Sequence, residues 1–181
     1  MLPNWFETQS HFFEKNVPNT GLNILQIGAY TGDATKWLLE NRIVINIDDV
    51  DTWEGSDENS HHSIDFSEVE KTWDARFGSL SNVKKHKMTS DQFFFKNPPG
   101  SKEYNFIYID GDHTATQTAL DGLNGFRLLS RGGVIAFDDY WWVDNNSEFL
   151  RPKRGIDAFM SICEGEYRVL ETGYQVWLQK C

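Results

Sequence analysis

The feature that most constrains this chain is a repeated order of segments: a short apolar run, a turn, and then a stretch with helical spacing. NILQIG is followed by TGDATKWLLEN, IVINIDDVDTW by a helical pattern from Phe66 to Phe77, and YNFIYIDG by another at 115–130. Such dense apolar runs suit strands that are buried on both faces. Strands alternating with helices are joined by right-handed crossovers into a mainly parallel sheet. The sequence therefore predicts an α/β, doubly wound, Rossmann-like fold.

The other segments complete a sheet of seven strands. NVKKHKMTS predicts a third strand at a wet edge, GVIAFDDYWW a buried strand, GIDAFMSICEG a helix, and YRVLETGYQVWLQK two strands that turn at Thr172-Gly173. The closing hairpin adds a C-terminal antiparallel strand. Because no repeat or linker divides the chain, we expect one domain over residues 1–181, with residues 1–20 as a helical lead-in.

The helix predicted at 115–130 requires an inner face and an end. Helical spacing of apolar residues predicts that the inner face consists of Ala119, Leu120, Leu123 and Phe126. The segment Arg131-Gly132-Gly133 is typical of a glycine stop at a helix C-terminus.

Composition excludes several classes of partner. The 181 residues carry a formal net charge of −10, and a negative surface does not attract nucleic acid or anionic lipid. No run approaches the roughly 20 apolar residues that span a bilayer, and MLPNWFETQSHFF lacks the features of a signal peptide. We therefore expect a cytoplasmic protein without nucleic-acid or membrane partners. Cys163 and Cys181 lack C-x-x-C spacing and are interpreted as free thiols.

A glycine loop stands where the first strand hands over to a helix. In Gly28-Ala29-Tyr30-Thr31-Gly32 the glycines let the backbone approach a ligand closely. Asp51 follows roughly 20 residues later, where an acid in such folds binds a ribose diol; Asp48 and Asp49 are alternatives for that role. The loop is neither G-x-G-x-x-G nor a P-loop, which disfavours a dinucleotide or nucleoside triphosphate. The alternative is that the glycines only form a tight turn.

The segment LQIGAYTGDAT resembles motif I of class I S-adenosylmethionine-dependent methyltransferases, which commonly reads E/D-x-G-x-x-x-G. Gln26 departs from the motif, because it stands where an acid is usual. The resemblance implies that the glycine loop surrounds the methionine part of the cofactor, that Asp51 holds the ribose, and that Ser90 and Asp91 lie beside the adenine. The cofactor-binding residues implied are Gln26, Gly28, Tyr30, Gly32, Asp51, Ser90, Asp91 and Asp110.

Acidic residues follow two of the predicted buried strands. IDGDH at 109–113 and FDDYWW at 137–142 each end a strand, and ligands of open α/β sheets bind at the carboxyl ends of strands. The aspartates expected to converge there are Asp110, Asp112, Asp138 and Asp139. Several carboxylates in one cleft repel one another unless a cation or protons neutralise them, and oxygen ligands favour Mg²⁺. Alternatively, some of these aspartates face solvent or cap helices.

These two segments resemble methyltransferases of the domain 24 type, which include metal-dependent macrolide and aminocoumarin sugar O-methyltransferases. The resemblance spans roughly residues 20–142 and is most specific at GAYTG, VDTWEGSDE, IDGDH and GGVIAFDDY. It implies a metal bound by Asp110, Asp138 and Asp139. It also implies a general base, for which His113 is the first candidate and Asp112 the second; the alternative for His113 is a helix cap.

The sequence thus predicts an S-adenosylmethionine-dependent, Mg²⁺-assisted O-methyltransferase for a small hydroxylated acceptor such as a sugar. The alternatives are a non-catalytic cofactor-binding module and an NAD-dependent nucleotide-sugar oxidoreductase. Because the chain has little insertion to cover an acceptor, we expect an open pocket or one completed in a homo-oligomer. We expect His61 and His62 to be solvated, and Trp141 and Trp142 to pack or to line the acceptor pocket.

Overall fold

The computed structural model describes residues 2–56, 58–143 and 150–181. In these ranges the strands are β1 (Leu22–Ile27), β2 (Val44–Asp51), β3 (Val83–Lys87), β4 (Tyr104–Ile109), β5 (Leu129–Phe137), β6 (Tyr167–Thr172) and β7 (Val176–Lys180). The α-helices are α1 (Ser10–Asn16), α2 (Asp33–Asn41), α3 (Phe66–Phe77), α4 (Ser90–Lys96), α5 (Ala115–Leu128) and α6 (Pro152–Ile162), and a 3₁₀ turn covers Phe6–Thr8.

The seven strands form one sheet in the order β3-β2-β1-β4-β5-β7-β6. All pairs from β3 to β5 are parallel, whereas β7 is antiparallel to both β5 and β6. The predicted Rossmann-like fold with a C-terminal antiparallel strand is therefore confirmed. Because the central strands are parallel, the segments that follow β1, β2, β4 and β5 all leave the same edge of the sheet.

The central strands are buried on both faces. Ile24 and Phe106 point into one apolar cluster, and their neighbours Leu25 and Ile107 point into the other. This alternation between two cores explains why the strands read as nearly continuous apolar runs. The predicted leading helix contributes Phe13 of α1, which is fully buried in the first cluster.

Helix α4 was not predicted. It begins after Thr89, whose hydroxyl accepts a hydrogen bond from the backbone of Gln92 while the Gln92 side chain accepts one from the backbone of Thr89. This capping box is present in the sequence TSDQ. The seven-residue helix lacks a clear apolar stripe, because Phe93 and Phe94 are buried but Phe95 is 87% exposed.

The prediction for α5 was wrong in two respects. The helix ends at Leu128 because Leu129 has an extended backbone, and Arg131-Gly132-Gly133 belongs to β5 instead of a glycine stop. Leu120, expected inside, is exposed. The residues of α5 that are buried are Thr118, Asp121, Gly122, Gly125, Phe126 and Leu128.

Small residues allow α5 to approach the sheet closely. A Cβ atom on Gly122 would lie 2.8 Å from the ring of Phe137 and 3.0 Å from that of Phe159. Apolar periodicity alone missed this face because glycine contributes no apolar side chain. Among the described residues, no helix has both the length and the apolar content that a membrane span requires.

Candidate active site

A cavity of about 530 Å³ opens at the carboxyl ends of the parallel strands. Segments from five strands reach it: the glycine loop follows β1, Asp51 ends β2, Ser90 lies beyond β3, Asp110 follows β4, and Asp138 follows β5. The predicted meeting of the glycine loop and the two acidic segments at one edge of the sheet is confirmed. Ligands of open α/β sheets bind in this position.

The glycine loop has a backbone that requires glycine. Gly28 has φ +86°, and a Cβ atom on it would lie 1.7 Å from the carbonyl oxygen of Asp110. Gly32 has φ +79° and lies against the ring of Phe77 as the N-cap of α2. Gly28 and Tyr30 line the cavity, and the buried Tyr30 hydroxyl has no hydrogen-bond partner among the described residues.

Asp51 anchors this loop at the cavity wall. Its Oδ2 accepts a hydrogen bond from Tyr30 N at 2.8 Å, and its Oδ1 accepts one from Trp53 N at 2.7 Å. Burial raises the pKa of this carboxyl, and the backbone donors oppose the increase. The carboxylate lines the cavity, where it can accept hydrogen bonds from neighbouring hydroxyls.

Asp48 and Asp49, the alternatives to Asp51, lie elsewhere. Asp48 is bonded to His86, Lys102 and Tyr104. Asp49 is fully buried between Thr35 and Trp73. Neither lines the cavity.

Gln26 lies beneath the glycine loop. It is buried, its Nε2 donates to the carbonyl oxygen of Gly28 at 3.1 Å, and its Oε1 accepts from the Thr35 hydroxyl at 3.0 Å. Gln26 and Gly32 are not among the residues that line the cavity. Both support the loop from outside, and direct contact with a cofactor stays a prediction for them.

Ser90 and Asp91 line the cavity from the first turn of α4. The side-chain amide of Gln117, on α5, lies 3.0 Å from Ser90 Oγ and 3.1 Å from Asp91 Oδ1. Helix α4, which the sequence analysis did not predict, therefore places both residues in the cavity wall; their contact with adenine stays a prediction.

Asp110, His113 and Asp139 form an acidic cluster in the same cavity. One ligand atom from each lies within 4.8 Å of the others, so these three could share a metal ion. His113 Nε2 lies 3.1 Å from Asp139 Oδ2 and 3.7 Å from Asp110 Oδ1. Both ring nitrogens of His113 are buried and lack a hydrogen bond of suitable geometry. Buried nitrogen atoms normally have hydrogen-bond partners, so these two ring nitrogens call for an explanation, and a bound ion is one.

Asp138 stands behind this cluster, although it was predicted as a metal ligand. Its Oδ2 accepts a short hydrogen bond from the Tyr108 hydroxyl, and its Oδ1 accepts one from Asp139 N at 2.7 Å. Each oxygen thus already accepts one hydrogen bond, and Asp138 is not in the group whose ligand atoms lie within 4.8 Å of one another; its role as a metal ligand stays a prediction. Asp138 holds the backbone of Asp139, which has φ +57°, a conformation that is rare for a residue other than glycine.

The acidic cluster is electrostatically crowded. Burial and the charge of Asp138 raise the pKa of Asp110 well above its usual range, and burial together with Asp139 raises the pKa of Asp138 to about 6. Burial alone would lower the pKa of His113, but the carboxylates of Asp110, Asp139 and Glu58 raise it well above 6.5. The site therefore favours positive charge among its carboxylates.

Glu58 was missed by the sequence reasoning. It is buried, and its Oε1 lies 3.1 Å from His113 Nδ1. The Glu58 carboxylate also accepts hydrogen bonds from the hydroxyls of Ser56 and Ser60. The only signal for Glu58 was its place at the end of VDTWEGSDE, one of the segments that carry the family resemblance; Asp57 of this segment lies outside the described residues.

Other predictions for this region had mixed outcomes. His61, expected to be solvated, lines the cavity and its ring lies 5.8 Å from that of Trp5. Thr114 caps α5, so the alternative that His113 is the cap was wrong. Asp112 is exposed at the rim, where its Oδ1 accepts from Thr114 N. Trp142 lines the cavity with its ring 4.7 Å from that of His113.

The sheet order, the single antiparallel strand and the glycine-lined cavity define the class I, Rossmann-like methyltransferase fold. A family model described as a methyltransferase domain matches residues 25–140, and the chain belongs to this family of S-adenosylmethionine-dependent methyltransferases. None of the curated protein sequences matches the chain.

Solved structures of three methyltransferases are similar to this fold. An O-methyltransferase from Bacillus cereus in complex with SAH is 20% identical, with 96% of this chain and 81% of that chain covered and a TM-score of 0.67. The O-methyltransferase TomG from Streptomyces achromogenes, in complex with SAM, is 16% identical over 87% and 72% of the two chains, with a TM-score of 0.61. The N-methyltransferase NodS from Bradyrhizobium japonicum is 13% identical over 98% and 97%, with a TM-score of 0.63.

Proposed function

We propose that this protein transfers the methyl group of S-adenosylmethionine to a hydroxyl oxygen of a small acceptor, with a divalent cation, expected to be Mg²⁺, beside the reacting atoms. The observation that carries the proposal is the position of Asp110, His113 and Asp139 in the cavity that Gly28 and Asp51 also line. Donor and cation would therefore occupy adjoining places.

The residues at one end of the cavity fit the donor. Gly28 presents a backbone without a side chain to the cavity, the Asp51 carboxylate would accept hydrogen bonds from a ribose diol, and Ser90 and Asp91 would lie beside the adenine. The acidic lining also favours a sulfonium, which carries a positive charge.

The residues at the other end fit a cation. Asp110 and Asp139 offer carboxylate oxygens, which Mg²⁺ prefers. A divalent cation held there would lower the pKa of an acceptor hydroxyl. In the absence of this charge, the carboxylates repel one another, as the raised pKa of Asp138 and Asp110 indicates.

His113 is the proton acceptor that the geometry favours over Asp112. The carboxylates alone raise its pKa and keep the ring protonated, and the positive charge of a bound cation would favour the neutral ring that can accept a proton. Its Nε2 faces the acidic cluster, and Glu58 lies on the side of Nδ1, where it orients the ring and stabilises the imidazolium. Asp112 lies at the exposed rim and uses Oδ1 to bind the backbone of Thr114. A base with a third group that orients it is a recurring arrangement in proton transfer.

A small acceptor suits the cavity of about 530 Å³, which would hold the donor as well. Trp142 beside His113 provides a flat apolar wall for an acceptor ring. A sugar or another compact polyhydroxyl compound fits both the aromatic wall and the acidic cluster, because its carbon-bound hydrogens pack on the ring while its hydroxyls face carboxylates.

The test is methyl transfer from S-adenosylmethionine to a panel of sugars and catechols, with Mg²⁺ and with EDTA. We expect EDTA to abolish activity, and His113→Asn to lower kcat by roughly a hundredfold or more, as is typical for loss of a general base. Asp112→Asn is the matched variant and should retain most of the activity. Activity that is robust in EDTA and unchanged in His113→Asn would contradict the proposal.

A further inference from the structure

A chain of buried hydrogen bonds runs from Asp49 to the glycine loop. Thr35 Oγ1 lies 2.8 Å from Asp49 Oδ2, 3.1 Å from Asp49 Oδ1 and 3.0 Å from Gln26 Oε1. Gln26 Nε2 then donates to the carbonyl oxygen of Gly28 at 3.1 Å. Gln26 and Asp49 are paired across β1 and β2, so adjacent strands and α2 build the chain together.

The direction of these hydrogen bonds depends on Asp49. Because Nε2 of Gln26 must face the Gly28 carbonyl, its Oε1 faces Thr35 and needs a donor. The Thr35 hydroxyl has a single proton and lies between two acceptors when Asp49 is ionised. It then satisfies either Asp49 or Gln26, and the other is left without its partner.

A proton on Asp49 completes the chain. Trp73 Nε1 donates to Asp49 Oδ2 at 2.9 Å, so the proton belongs on Oδ1, from which it is donated to Thr35 Oγ1. Thr35 then donates to Gln26, and Gln26 donates to Gly28. Every member of the chain has a partner in this arrangement, and such buried networks hold a unique geometry.

We infer that Asp49 is a positioning residue for the methyl donor: in its uncharged form it fixes the Gly28 loop through Thr35 and Gln26, although it does not reach the cavity. The inference rests on the glycine loop being the donor site, as proposed above. Protonation of Asp49 and binding of the donor then favour each other, because linkage between two sites is reciprocal.

The surroundings of Asp49 support its uncharged form. Burial raises its pKa to about 7, against the hydrogen bonds of Thr35 and Trp73, and Asp51 and Asp48 on the same strand raise it further. Lys85 of β3 is the neighbour of Asp49 in the register between β2 and β3, but the Lys85 ammonium forms ion pairs with Glu70 and Asp74 of α3. The groups that α2 and β1 present to Asp49 are the neutral side chains of Thr35 and Gln26.

The experiment is calorimetric titration of the full chain with S-adenosylhomocysteine from about pH 6 to about pH 8.5, in buffers of different ionisation enthalpy. We expect the wild-type affinity to fall several-fold as pH rises through about 7, with proton uptake on binding. Asp49→Asn cannot ionise, but its amide can donate to Thr35 and accept from Trp73. It should lack this component of the pH dependence and of the proton uptake.

Two further variants separate positioning from a structural effect. Thr35→Val interrupts the chain while Asp49 stays titratable, so it should bind the donor several-fold more weakly and lose the same component of proton uptake. Asp48→Asn changes the neighbouring acid on the same strand, whose bonds lead to His86 and Lys102. It should keep the pH-dependent component and the proton uptake, moved to slightly lower pH because the charge of Asp48 contributes to the raised pKa of Asp49. Thermal unfolding of each variant identifies a loss of fold.

The outcomes are distinct. If Asp49→Asn and wild type bind the donor with the same pH dependence, or if Thr35→Val binds like wild type, the inference is wrong and the proposed function stands. If the wild-type protein binds no donor at any pH, both fail. If Asp49→Asn and Thr35→Val lose the pH-dependent component of donor binding while Asp48→Asn keeps it, the inference is supported.

Discussion

The carbonyl oxygen of Asp110 occupies the space next to Gly28, only 1.7 Å from where a Cβ atom of residue 28 would stand. Gly28 directly follows β1 and Asp110 directly follows β4, and the two strands are parallel neighbours in the centre of the sheet. Asp110 N also donates to Ile27 O at 2.8 Å. The loop for the donor and the first residue of the acidic cluster are therefore parts of one packed unit.

This contact predicts the effect of Gly28→Ala. The left-handed backbone costs roughly 1–2 kcal/mol for a residue with a Cβ atom, and the clash with Asp110 must be relieved by moving one of two central strands. We expect loss of donor binding and a decrease in the free energy of unfolding of roughly 3 kcal/mol or more. Urea unfolding and calorimetry measure the two effects.

Gly100→Ala is the matched control. Gly100 has φ +86°, the same as Gly28, but nothing lies within 4 Å of its missing Cβ atom. It should show only the backbone cost and bind the donor normally. Equal effects of the two substitutions would disprove the importance of the contact with Asp110.

Asp51→Ala should weaken donor binding by at least about tenfold, the loss expected for charge-assisted hydrogen bonds. The variant removes the acceptor for Tyr30 N and Trp53 N as well as the one proposed for the ribose. Titration with S-adenosylhomocysteine measures the effect.

Asp65→Ala provides the comparison for Asp51. It removes the N-cap of α3, which should lower the stability of that helix. Since Asp65 does not line the cavity, donor affinity should be unchanged. A similar loss of affinity in both variants would show that the effect of Asp51 is only one of stability.

Asp139 and Asp138 should differ in cation binding. Asp139 contributes a carboxylate oxygen to the acidic cluster, whereas Asp138 lies outside that group and its oxygens accept hydrogen bonds from Tyr108 and Asp139 N. We expect Asp139→Asn to lower Mn²⁺ affinity by at least about tenfold, as loss of a ligand commonly does. Asp138→Asn should mainly reduce stability, because an amide cannot accept from Tyr108 and Asp139 at the same time. Electron paramagnetic resonance of bound Mn²⁺ tests this order, and a reversed order would restore Asp138 as the ligand.

The adjacent residues Asp48 and Asp49 should have opposite effects on stability as pH changes. Burial would raise the pKa of Asp48, but hydrogen bonds from His86, Tyr104 and Lys102 lower it to about 2. Its stabilisation is therefore present above the unfolded pKa of about 3.9 and is lost as pH falls toward 2. Asp48→Asn should cost on the order of 1–2 kcal/mol at pH 7 and little near pH 2.

The pKa of Asp49 is raised to about 7, so the folded state binds its proton more tightly than the unfolded chain does. Wild type should lose stability as pH rises from about 4 to about 7. Asp49→Asn should escape this loss and gain on wild type over the same range. Thermal unfolding of both variants against pH measures the two slopes, and slopes of equal sign would contradict the assignment.

The sequence predicted those parts of the site that follow directly from strands. Gly28, Asp51, Asp110 and Asp139 each lie within two residues of the end of a parallel strand, and such ends meet at one edge of the sheet. A local apolar pattern therefore places them without knowledge of distant contacts.

The residues that sequence reasoning misplaced depend on packing between distant segments. Glu58 comes from a loop whose polar sequence resembles a solvated one, and its burial depends on His113, far along the chain. Asp138 carries the same side chain as Asp139, and the sequence cannot show that Asp138 accepts hydrogen bonds from Tyr108 and Asp139 N; its role as a metal ligand stays a prediction. Likewise, the buried face of α5 is built from glycines that fit against Phe137 and Phe159.

The place of β7 has a consequence for how the sheet assembles. β7 lies between β5 and β6, although it follows β6 in the chain. β6 pairs with β7 alone, so it has no position in the sheet until β7 is available. During synthesis, β6 therefore cannot join the sheet, and the apolar edge of β5 stays unpaired, until β7 has left the ribosome. Completion of the sheet is a late, non-local event, of the kind that folds slowly and exposes a strand edge to aggregation.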